Sequence, residues 1–401
     1  AFSLMTFLTS ILRGLAMGSG TVFSIRYGQK KTKALKECVR ASFALLGTIT
    51  IILNLIVFSG IDWIIQILQT PAELTALMRE YLIVIFVGLI GIFLYNFFAA
   101  LLRALGNSLI PLVFLAVSAV LNIILDLWFV AGLKRGVAGA AEATVIAQYV
   151  SGIGIMLYAF RRFPQLFHSE EKIRLRRCRI REIAGFSALT CLQQSIMNLG
   201  ILAVQGLVNS FGTVTMAAFA AGVKIDAFAY LPVQDFGNAF SIFIAQNYGA
   251  GKQTRIKKGI RAAALTTIAF GALISAAVFL FARPLMTLFI DAGERAVIHE
   301  GIGYLRIEGA FYPLIGLLFL LYGLYRALGR PGMSVVLTII SLGSRVALAY
   351  ALAAIPGIGV SGIWWSVPIG WLLADVLGVS YWLIRKKKLL PDADDKKRGR
   401  L

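Results

Sequence analysis

The sequence predicts an all-α membrane protein that is built from two repeated bundles of helices. Three observations predict this fold class: long apolar stretches recur along the chain, basic and acidic loops alternate between them, and motifs of the first half return in the second. The chain has 59% hydrophobic and 14% charged residues and a mean hydropathy of +0.82. Soluble domains contain about 45–50% apolar residues, so this chain belongs in a lipid bilayer.

Eleven stretches are long enough to cross the bilayer as helices, because about 20 apolar residues cover about 30 Å of hydrocarbon. We place these spans at about 1–25, 39–62, 80–104, 108–132, 138–160, 183–211, 214–247, 257–290, 300–328, 332–355 and 361–385. A transmembrane barrel is excluded, since its strands are about ten residues long and alternate in polarity.

The formal charge of +20 belongs to the loops and does not indicate nucleic-acid binding. Basic residues from Arg26 to Arg40 follow the first span, whereas Asp62 and Glu80 follow the second. Positive charge collects on cytoplasmic loops, so the first loop is inside and the second outside. Further basic clusters fall on the cytoplasmic side, at 161–181, 252–261 and 385–388, with one exception at 134–135. The pattern predicts a multi-pass protein of the bacterial inner membrane with a cytoplasmic C-terminus.

Three cysteines and two histidines are scattered along the chain, without CxxC or HExxH spacing. This distribution supports neither a metal site nor a disulfide framework. A GxSxG motif and paired catalytic carboxylates are also missing from the spans, so the sequence predicts no enzyme and no cofactor.

An internal repeat divides the chain into two halves. Arg103-Ala-Leu-Gly106 returns as Arg326-Ala-Leu-Gly329, and Gly136-Val-Ala-Gly139 returns as Gly359-Val-Ser-Gly362, both with an offset of 223 residues. A repeat of six helices gives both copies the same orientation. We therefore expect the two bundles to be related by a pseudo-twofold axis along the membrane normal.

The repeat also predicts the domain boundaries. These are an N-terminal lobe at 1–160, a cytoplasmic linker at 161–182, a C-terminal lobe at 183–386 and a basic cytoplasmic tail at 387–401. Tyr27-Gly28 after the first span matches Tyr248-Gly249 after the seventh. The first lobe then has five spans against six in the second, so we expect a further helix before Ala1.

Gln246-Asn-Tyr-Gly-Ala-Gly-Lys252 closes a long predicted helix that contains Pro232. Together with the paired Arg-Ala-Leu-Gly motifs, this segment resembles the multidrug and toxic compound extrusion (MATE) family, and the resemblance covers essentially the whole chain. It implies the MATE fold, with twelve helices in two bundles around a central cleft, of which this chain supplies eleven. It also implies alternating access, in which small cationic lipophilic compounds leave in exchange for Na⁺ or H⁺.

Two polar residues of the fourth predicted span indicate an ion site. An Asp at mid-bilayer costs about 2.5–3.5 kcal/mol, so it normally has a partner or a function. Asn122 and Asp126 are spaced i, i+4 and share one helix face, where they can hold a hard cation or share a proton. Alternatively, the pair only joins neighbouring helices by hydrogen bonds. The resemblance adds Thr144, because family members with an ion site in this lobe use a Thr one helix later.

The seventh predicted span carries four polar candidates for a substrate cavity. These are Lys224, Asp226, Asp235 and Asn238. Pro232 removes one helical hydrogen bond and kinks the span, as suits a helix that lines a cavity or moves as a gate. The alternative is a neutralised buried network of the Lys and the two Asp residues.

Further cavity candidates are Gln193, Gln194 and Asn198 on the sixth span and Arg345 on the tenth. Some branches of the family have an acidic site on the sixth and ninth helices of this chain's count. Here glutamines stand near the first position, and we expect Glu308, the only acid past the first residue of the ninth span, at its rim. Arg345 lies mid-span at the repeat position of Asn122, where it either pairs with an acid or attracts an anionic group.

The predicted function is a secondary antiporter that exports small cationic compounds and acts as a monomer in the bilayer, without a nucleic-acid partner. A flippase for lipid-linked oligosaccharides of the same superfamily is the first alternative, and it needs a strongly basic cleft. A membrane protein without transport activity is the second alternative, but such a protein would not need a buried Asp126.

Overall fold

The computed structural model describes residues 2–67, 72–167 and 177–390. Every regular element in these ranges is helical. Residues 168–176 of the predicted linker and residues 391–401 of the predicted tail lie outside the described residues. The chain forms two compact units, Ala1–Leu192 and Gln193–Leu401.

The first unit contains eight helices, one π-helical segment and the start of a ninth helix, counted over its described residues. The elements are α1 Phe2–Gly28, α2 Thr32–Ser59, α3 Ile61–Ile67, α4 Ala72–Val87, α5 Leu89–Ala104, α6 Leu109–Asp126, the π segment Leu127–Gly132, α7 Gly136–Arg162, α8 Pro164–Phe167 and α9 Arg177–Asn209.

The second unit contains the rest of α9 and seven further helices in its described part. These are α10 Thr213–Gly249, α11 Gln253–Leu280, α12 Ala282–Thr287, α13 Arg295–Gly309, α14 Tyr312–Ala327, α15 Pro331–Ala353 and α16 Val360–Leu389.

In the described residues, ten helical spans are long and apolar enough to cross a membrane, and a bent pair raises the number to eleven. The predicted all-α membrane fold is confirmed. The continuous helix predicted at 300–328 is instead the bent pair, α13 and α14, whose axes differ by 50°. Pro313 stands in the first turn of α14, where the missing proline N–H costs no helical hydrogen bond. The break therefore lies where the proline is tolerated.

Close helix crossings in the first unit rely on glycine. A Cβ atom on Gly152 of α7 would stand 2.6 Å from the carbonyl oxygen of Gly91 on α5. Small residues allow helix backbones to approach within a bilayer, where van der Waals contact replaces the hydrophobic effect as the force between helices. The α5–α7 crossing is therefore too close for any larger residue at position 152.

The start of α9 is attached to α1 and α2 by ion pairs. Arg26 of α1 donates to Glu182, and Arg179 donates to the other oxygen of Glu182 at 3.2 Å. Arg179 also reaches Glu37 of α2 at 3.5 Å. These residues belong to a cytoplasmic cluster of the predicted topology, and the last residues of the predicted linker are already helical.

The repeated motifs form the same helix ending twice. Gly106 after α5 has φ +89° and Gly329 after α14 has φ +78°, a left-handed conformation that favours glycine. The amide of Asn107 donates to Leu102 O at 2.9 Å, and the amide of Arg330 donates to Tyr325 O at 2.8 Å. Both are the 6→1 hydrogen bond of a Schellman ending. The motif is therefore a C-cap.

Candidate functional site

In the first unit, the structure brings two of the three predicted ion-site residues into contact. Nδ2 of Asn122 on α6 donates to Oγ1 of Thr144 on α7 at 3.4 Å. The Thr144 hydroxyl donates in turn to Ala140 O at 3.0 Å, one turn earlier in α7. Because Asn122 donates through its nitrogen, its amide oxygen is free to accept from or coordinate a further group.

The third residue, Asp126, lies where the helix changes its geometry. It is the last residue of α6 before the π segment Leu127–Gly132, and its side chain is half-buried. Its buried Oδ1 has no hydrogen-bond partner among the described residues. π segments are rare and occur often at functional sites. Asp126 follows Asn122 by one turn of α6, so a carboxylate, an amide and a hydroxyl are candidate oxygen ligands for a hard cation or a proton.

In the second unit, Asp226 is the centre of a hydrogen-bond network that the sequence does not reveal. Its side chain on α10 is buried, and Tyr304 donates to Oδ2 while Tyr312 donates to Oδ1. Both oxygens of this buried carboxyl group therefore have hydrogen-bond donors, as buried polar atoms normally do. Tyr304 belongs to α13 and Tyr312 to α14, so Asp226 connects the two halves of the bent pair.

The packing around Tyr304 explains why α10 approaches α13 here. A Cβ atom on Gly222 would stand 2.4 Å from Cδ1 of Tyr304, so only glycine leaves room for the ring. Phe219 and Trp364 complete an aromatic cluster, with ring centroids 5.5 Å and 4.9 Å from that of Tyr304. The cluster holds the tyrosine hydroxyl against Asp226.

A cavity of about 200 Å³ lies beside this network. Asp226, Tyr304, Glu308 and Arg345 line it, together with apolar and aromatic side chains. The expectation that Glu308 lies at a rim is wrong, because its side chain is 6% exposed and faces the cavity. Oε2 of Glu308 and Nε of Arg345 are buried without a hydrogen-bond partner among the described residues.

The remaining candidates on α10 do not share this cavity. Lys224 is exposed, and its Nζ lies 5.7 Å from the centroid of the Phe289 ring. Asp235 is exposed as well. Asn238 accepts a hydrogen bond from Nη2 of the buried Arg326 at 3.1 Å. The Lys-and-two-Asp network considered from the sequence is therefore not formed, because Asp226 is buried whereas Lys224 and Asp235 are exposed on the opposite side of α10.

On α9, the cavity is lined by Met197 and Ile201 and not by the polar candidates. Gln193 is buried, whereas Gln194 and Asn198 are half-buried. These three residues stay candidates on the sequence argument alone.

A third buried acid of this unit, Asp375 of α16, is one that the sequence analysis does not single out. It is 3% exposed, and neither carboxylate oxygen has a hydrogen-bond partner among the described residues. The sequence contains the signal for Asp375, because this residue is an acid in the middle of a predicted span, and the same criterion selects Asp126. Tyr304 and Tyr312 gave no such signal, since tyrosine is common in membrane helices and their partner lies on another helix.

The chain is similar to a known family over most of its length. The MatE family model matches residues 1–128 and 190–351, which is more than half of the chain. Two solved structures share the fold. An outward-facing multidrug resistance MATE family transporter of the MOP superfamily has a TM-score of 0.90 at 21% identity, covering 98% of this chain and 87% of that chain. The bent form of the Vibrio cholerae MATE transporter VcmN has a TM-score of 0.85 at 24% identity, covering 96% and 86%.

Curated relatives agree with the family model. A probable multidrug resistance protein of Bacillus subtilis, YpnP, is 29% identical over 84% of this chain and 75% of that protein. A FAD transporter of Shewanella oneidensis is 25% identical over 92% of this chain and 83% of that protein. The family match, the helical spans and the shared fold lead to one conclusion: this chain belongs to the MATE family of multi-pass plasma-membrane transporters.

Proposed function

We propose that the chain exports small organic compounds in exchange for Na⁺ or H⁺, and that Asn122, Asp126 and Thr144 bind the coupling ion. The observation that carries this proposal is the unpartnered Oδ1 of Asp126, one helical turn after Asn122, whose amide contacts Thr144. The relatives support the exported class, since their names include multidrug resistance proteins and a FAD transporter. Cationic lipophilic compounds are the class expected from the sequence.

The side chains of the site have distinct tasks in this proposal. Asp126 supplies the negative charge that attracts Na⁺ or takes the proton. Asn122 presents its amide oxygen, and the hydrogen bond to Thr144 holds the amide in place. The π segment that begins at Leu127 allows the backbone at Asp126 to change its hydrogen-bond register when the ion arrives.

Coupling requires that the ion binds two states of the transporter unequally, since an ion with equal affinity for both shifts nothing. One charge that crosses 100 mV supplies about 2.3 kcal/mol. This free energy supports roughly a fifty-fold concentration ratio of a neutral solute, because about 1.4 kcal/mol corresponds to a factor of ten. A single ion per cycle is therefore sufficient for useful export.

The flippase alternative has less support among the described residues. Lipid-linked oligosaccharides carry a pyrophosphate group, which calls for several cations at the substrate site. The cavity of the second unit has one cationic residue, Arg345, beside the two acids Asp226 and Glu308. The proposal therefore keeps a small solute as substrate.

The test is ethidium transport by Asp126→Asn in liposomes that contain the purified protein, under an imposed Na⁺ or proton gradient. We expect gradient-driven transport to be lost, because the amide cannot supply a charge to the ion. The gradient that drives the unaltered protein identifies the ion.

Asp62→Asn is the matched control, since Asp62 lies outside the site, with its side chain 69% exposed. If the Asp126→Asn and Asp62→Asn variants transported ethidium at the same rate, Asp126 would have no role in the mechanism. A protein that carries ethidium without any gradient dependence would contradict coupled export.

A further inference from the structure

Asp375, in the middle of α16, is a buried acid without a counter-charge. Its side chain is 3% exposed, and neither carboxyl oxygen has a hydrogen-bond partner among the described residues. The ion pairs within this part of the chain do not include Asp375 either. A carboxylate that is buried alone loses its hydration without compensation, and binding of a proton removes that cost by making the group neutral.

The cations of the neighbouring helices are directed to other groups. Helices α13, α14 and α15 pack against α16. Arg345 of α15 interacts with the two acids of the cavity, Asp226 and Glu308. Arg326 of α14 donates to neutral side chains of α10 at 3.1 and 3.3 Å, and Arg306 of α13 lies over an aromatic ring of α11. The other charged or imidazole groups of these helices stand in the first two turns of α13 or the last two of α16, at Arg295, His299, Glu300 and 385–388.

Hydroxyl groups connect Asp375 with the cavity of the second unit. Tyr322 of α14 interacts electrostatically with Asp375, and its side chain has hydrogen-bond contacts with Thr338 and Ser341 of α15. Tyr322 and Ser341 also line the cavity, as does Trp371, one helical turn before Asp375. A phenol and two aliphatic hydroxyls supply no positive charge, but each can accept one proton while it donates another.

Close packing encloses the carboxyl group among these three helices. A Cβ atom on Gly370 of α16 would stand 2.4 Å from Ser341 O, and one on Gly378 would stand 2.7 Å from Cδ1 of Leu321. The two glycines lie on either side of Asp375 along α16. The other tyrosines of α13 and α14 have separate acceptors, namely the carboxyl group of Asp226 for Tyr304 and Tyr312 and the carbonyl oxygen of Gly378 for Tyr325.

We propose that Asp375 is a proton-binding site of the second unit, which exchanges its proton with the cavity through the hydroxyl groups of Tyr322 and Ser341. The proposal rests on the proposed transport function, and it adds a second coupling ion to the one at Asp126. A hydronium ion in the cavity gives one proton to a relay hydroxyl, and that hydroxyl passes its own proton to the carboxylate. A water molecule and a neutral carboxyl group remain, and release follows the reverse path.

A proton suits this position better than a metal cation. A single proton needs one oxygen atom, whereas a hard metal cation needs several oxygen ligands at once. Leu321 and Leu337 pack against α16 one turn after Asp375, and the hydroxyl of Thr338 already donates to Ser334 O at 2.9 Å. The surroundings therefore offer few oxygen ligands besides the carboxyl group itself.

Infrared spectroscopy of the purified protein tests whether Asp375 carries a proton. At about pH 7 exposed carboxyl groups are ionised, so the carbonyl stretch of a protonated carboxyl group reports buried acids. Asp375→Asn should lose one such band, whereas Asp62→Asn, at an exposed position, should lose none. Aspartate that is labelled with ¹³C in its side-chain carboxyl should shift the same band in the unaltered protein, a measurement that needs no substitution.

Deuterium exchange tests the path through the cavity. In D₂O the band of Asp375 should shift as deuterium replaces the proton. Tyr322→Phe combined with Ser341→Ala should slow this exchange by about tenfold or more, the factor for the loss of one hydrogen bond along the path. Tyr350→Phe, at an exposed tyrosine of α15, is the matched control and should exchange at the unaltered rate.

Proton counting tests the role in transport. A pH-sensitive dye measures the protons that cross the liposome membrane for each ethidium molecule. Asp375→Asn should lower this number by one, and Asp375→Glu, which keeps a carboxyl group, should restore it. Asp126→Asn should lose gradient-driven transport yet keep the infrared band of Asp375, so the two ion sites fail separately.

Four outcomes would overturn the inference. These are an unchanged carbonyl spectrum in Asp375→Asn, a band of Asp375 that stays unshifted in D₂O, loss of that band on addition of Na⁺, which would indicate a metal site, and an unchanged proton count in Asp375→Asn. In contrast, a band of Asp375 that exchanges normally in a protein without gradient-driven transport would contradict the proposed function and support the proton site.

Discussion

At the scale of single residues, side chains of the same type in similar sequence positions differ in their burial and in their hydrogen-bond partners. Asp226 and Asp235 lie on the same helix, yet the first is buried between two tyrosines and the second is exposed. Arg103 and Arg326 occupy equivalent motif positions, yet Arg103 is exposed whereas Arg326 is buried against Asn238 and Ser241. The role of each residue therefore depends on its partners on other helices.

Tyr304→Phe tests the hydrogen bonds at Asp226. The substitution leaves Oδ2 of the buried Asp226 without its donor, so we expect a loss of about 1–3 kcal/mol, the range for a buried polar atom left unsatisfied. The measurement is the thermal unfolding midpoint of the purified protein in detergent.

The exposed Tyr350 of α15 offers the control Tyr350→Phe, which should leave the midpoint unchanged. In the Asp226→Leu background, Tyr304→Phe should cost less, because no carboxylate is left to stabilise. An equal cost in both backgrounds would assign the effect of Tyr304 to packing alone.

At the scale of elements, local breaks position the candidate residues. The change from α6 to the π segment occurs at Asp126, and the bend between α13 and α14 lies between Tyr304 and Tyr312. Both breaks place a carboxylate beside irregular backbone, where a small change in hydrogen bonding can redirect a helix. Glycine determines how closely the regular parts of the helices approach.

Gly152→Ala tests the crossing of α5 and α7. The added Cβ would stand 2.6 Å from the carbonyl oxygen of Gly91, so the backbones of α5 and α7 would have to move apart. We expect this overpacking to lower the free energy of unfolding by about 1–3 kcal/mol. The fraction of folded protein that survives heating in detergent measures this loss.

The matched control is Gly185→Ala in α9, where a Cβ meets no atom within 4 Å. Alanine is the better helix former, so this variant should gain up to about 1 kcal/mol. If both variants had the same stability, the close approach at Gly152 would not limit the crossing.

At the scale of the whole molecule, the predicted orientation can be tested with a cysteine that the chain already has. Cys178 at the start of α9 is exposed, and it lies in a basic cluster that we predict to be cytoplasmic. A membrane-impermeant maleimide should therefore label Cys178 in inside-out vesicles and not in intact cells.

The complementary variant is Ala292→Cys in a Cys178→Ser background, because the segment after α11 is external in the same alternation. It should be labelled in intact cells. Labelling of Cys178 from outside would reverse the predicted topology, and with it the cytoplasmic position of the C-terminus.

The sequence by itself determined the membrane class, the position of the spans and the repeated helix endings. These properties depend on local chemistry. Hydropathy over about 20 residues specifies a span, and a glycine directly after the C-cap residue specifies the turn at Gly106 and Gly329. The contact of Asn122 with Thr144, which the resemblance led us to consider, is present in the structure, although its role in ion coupling stays a prediction.

Only the tertiary structure decided which polar side chains meet. The donors of Asp226 come from residues 78 and 86 positions later, and the cavity at Arg345 and Glu308 depends on a bend that a hydropathy pattern does not contain. Burial of a charge depends on atoms from several helices at once. No local rule states that Asp226 is enclosed and Asp235 is not, because the difference lies in what the neighbouring helices bring to each face of α10.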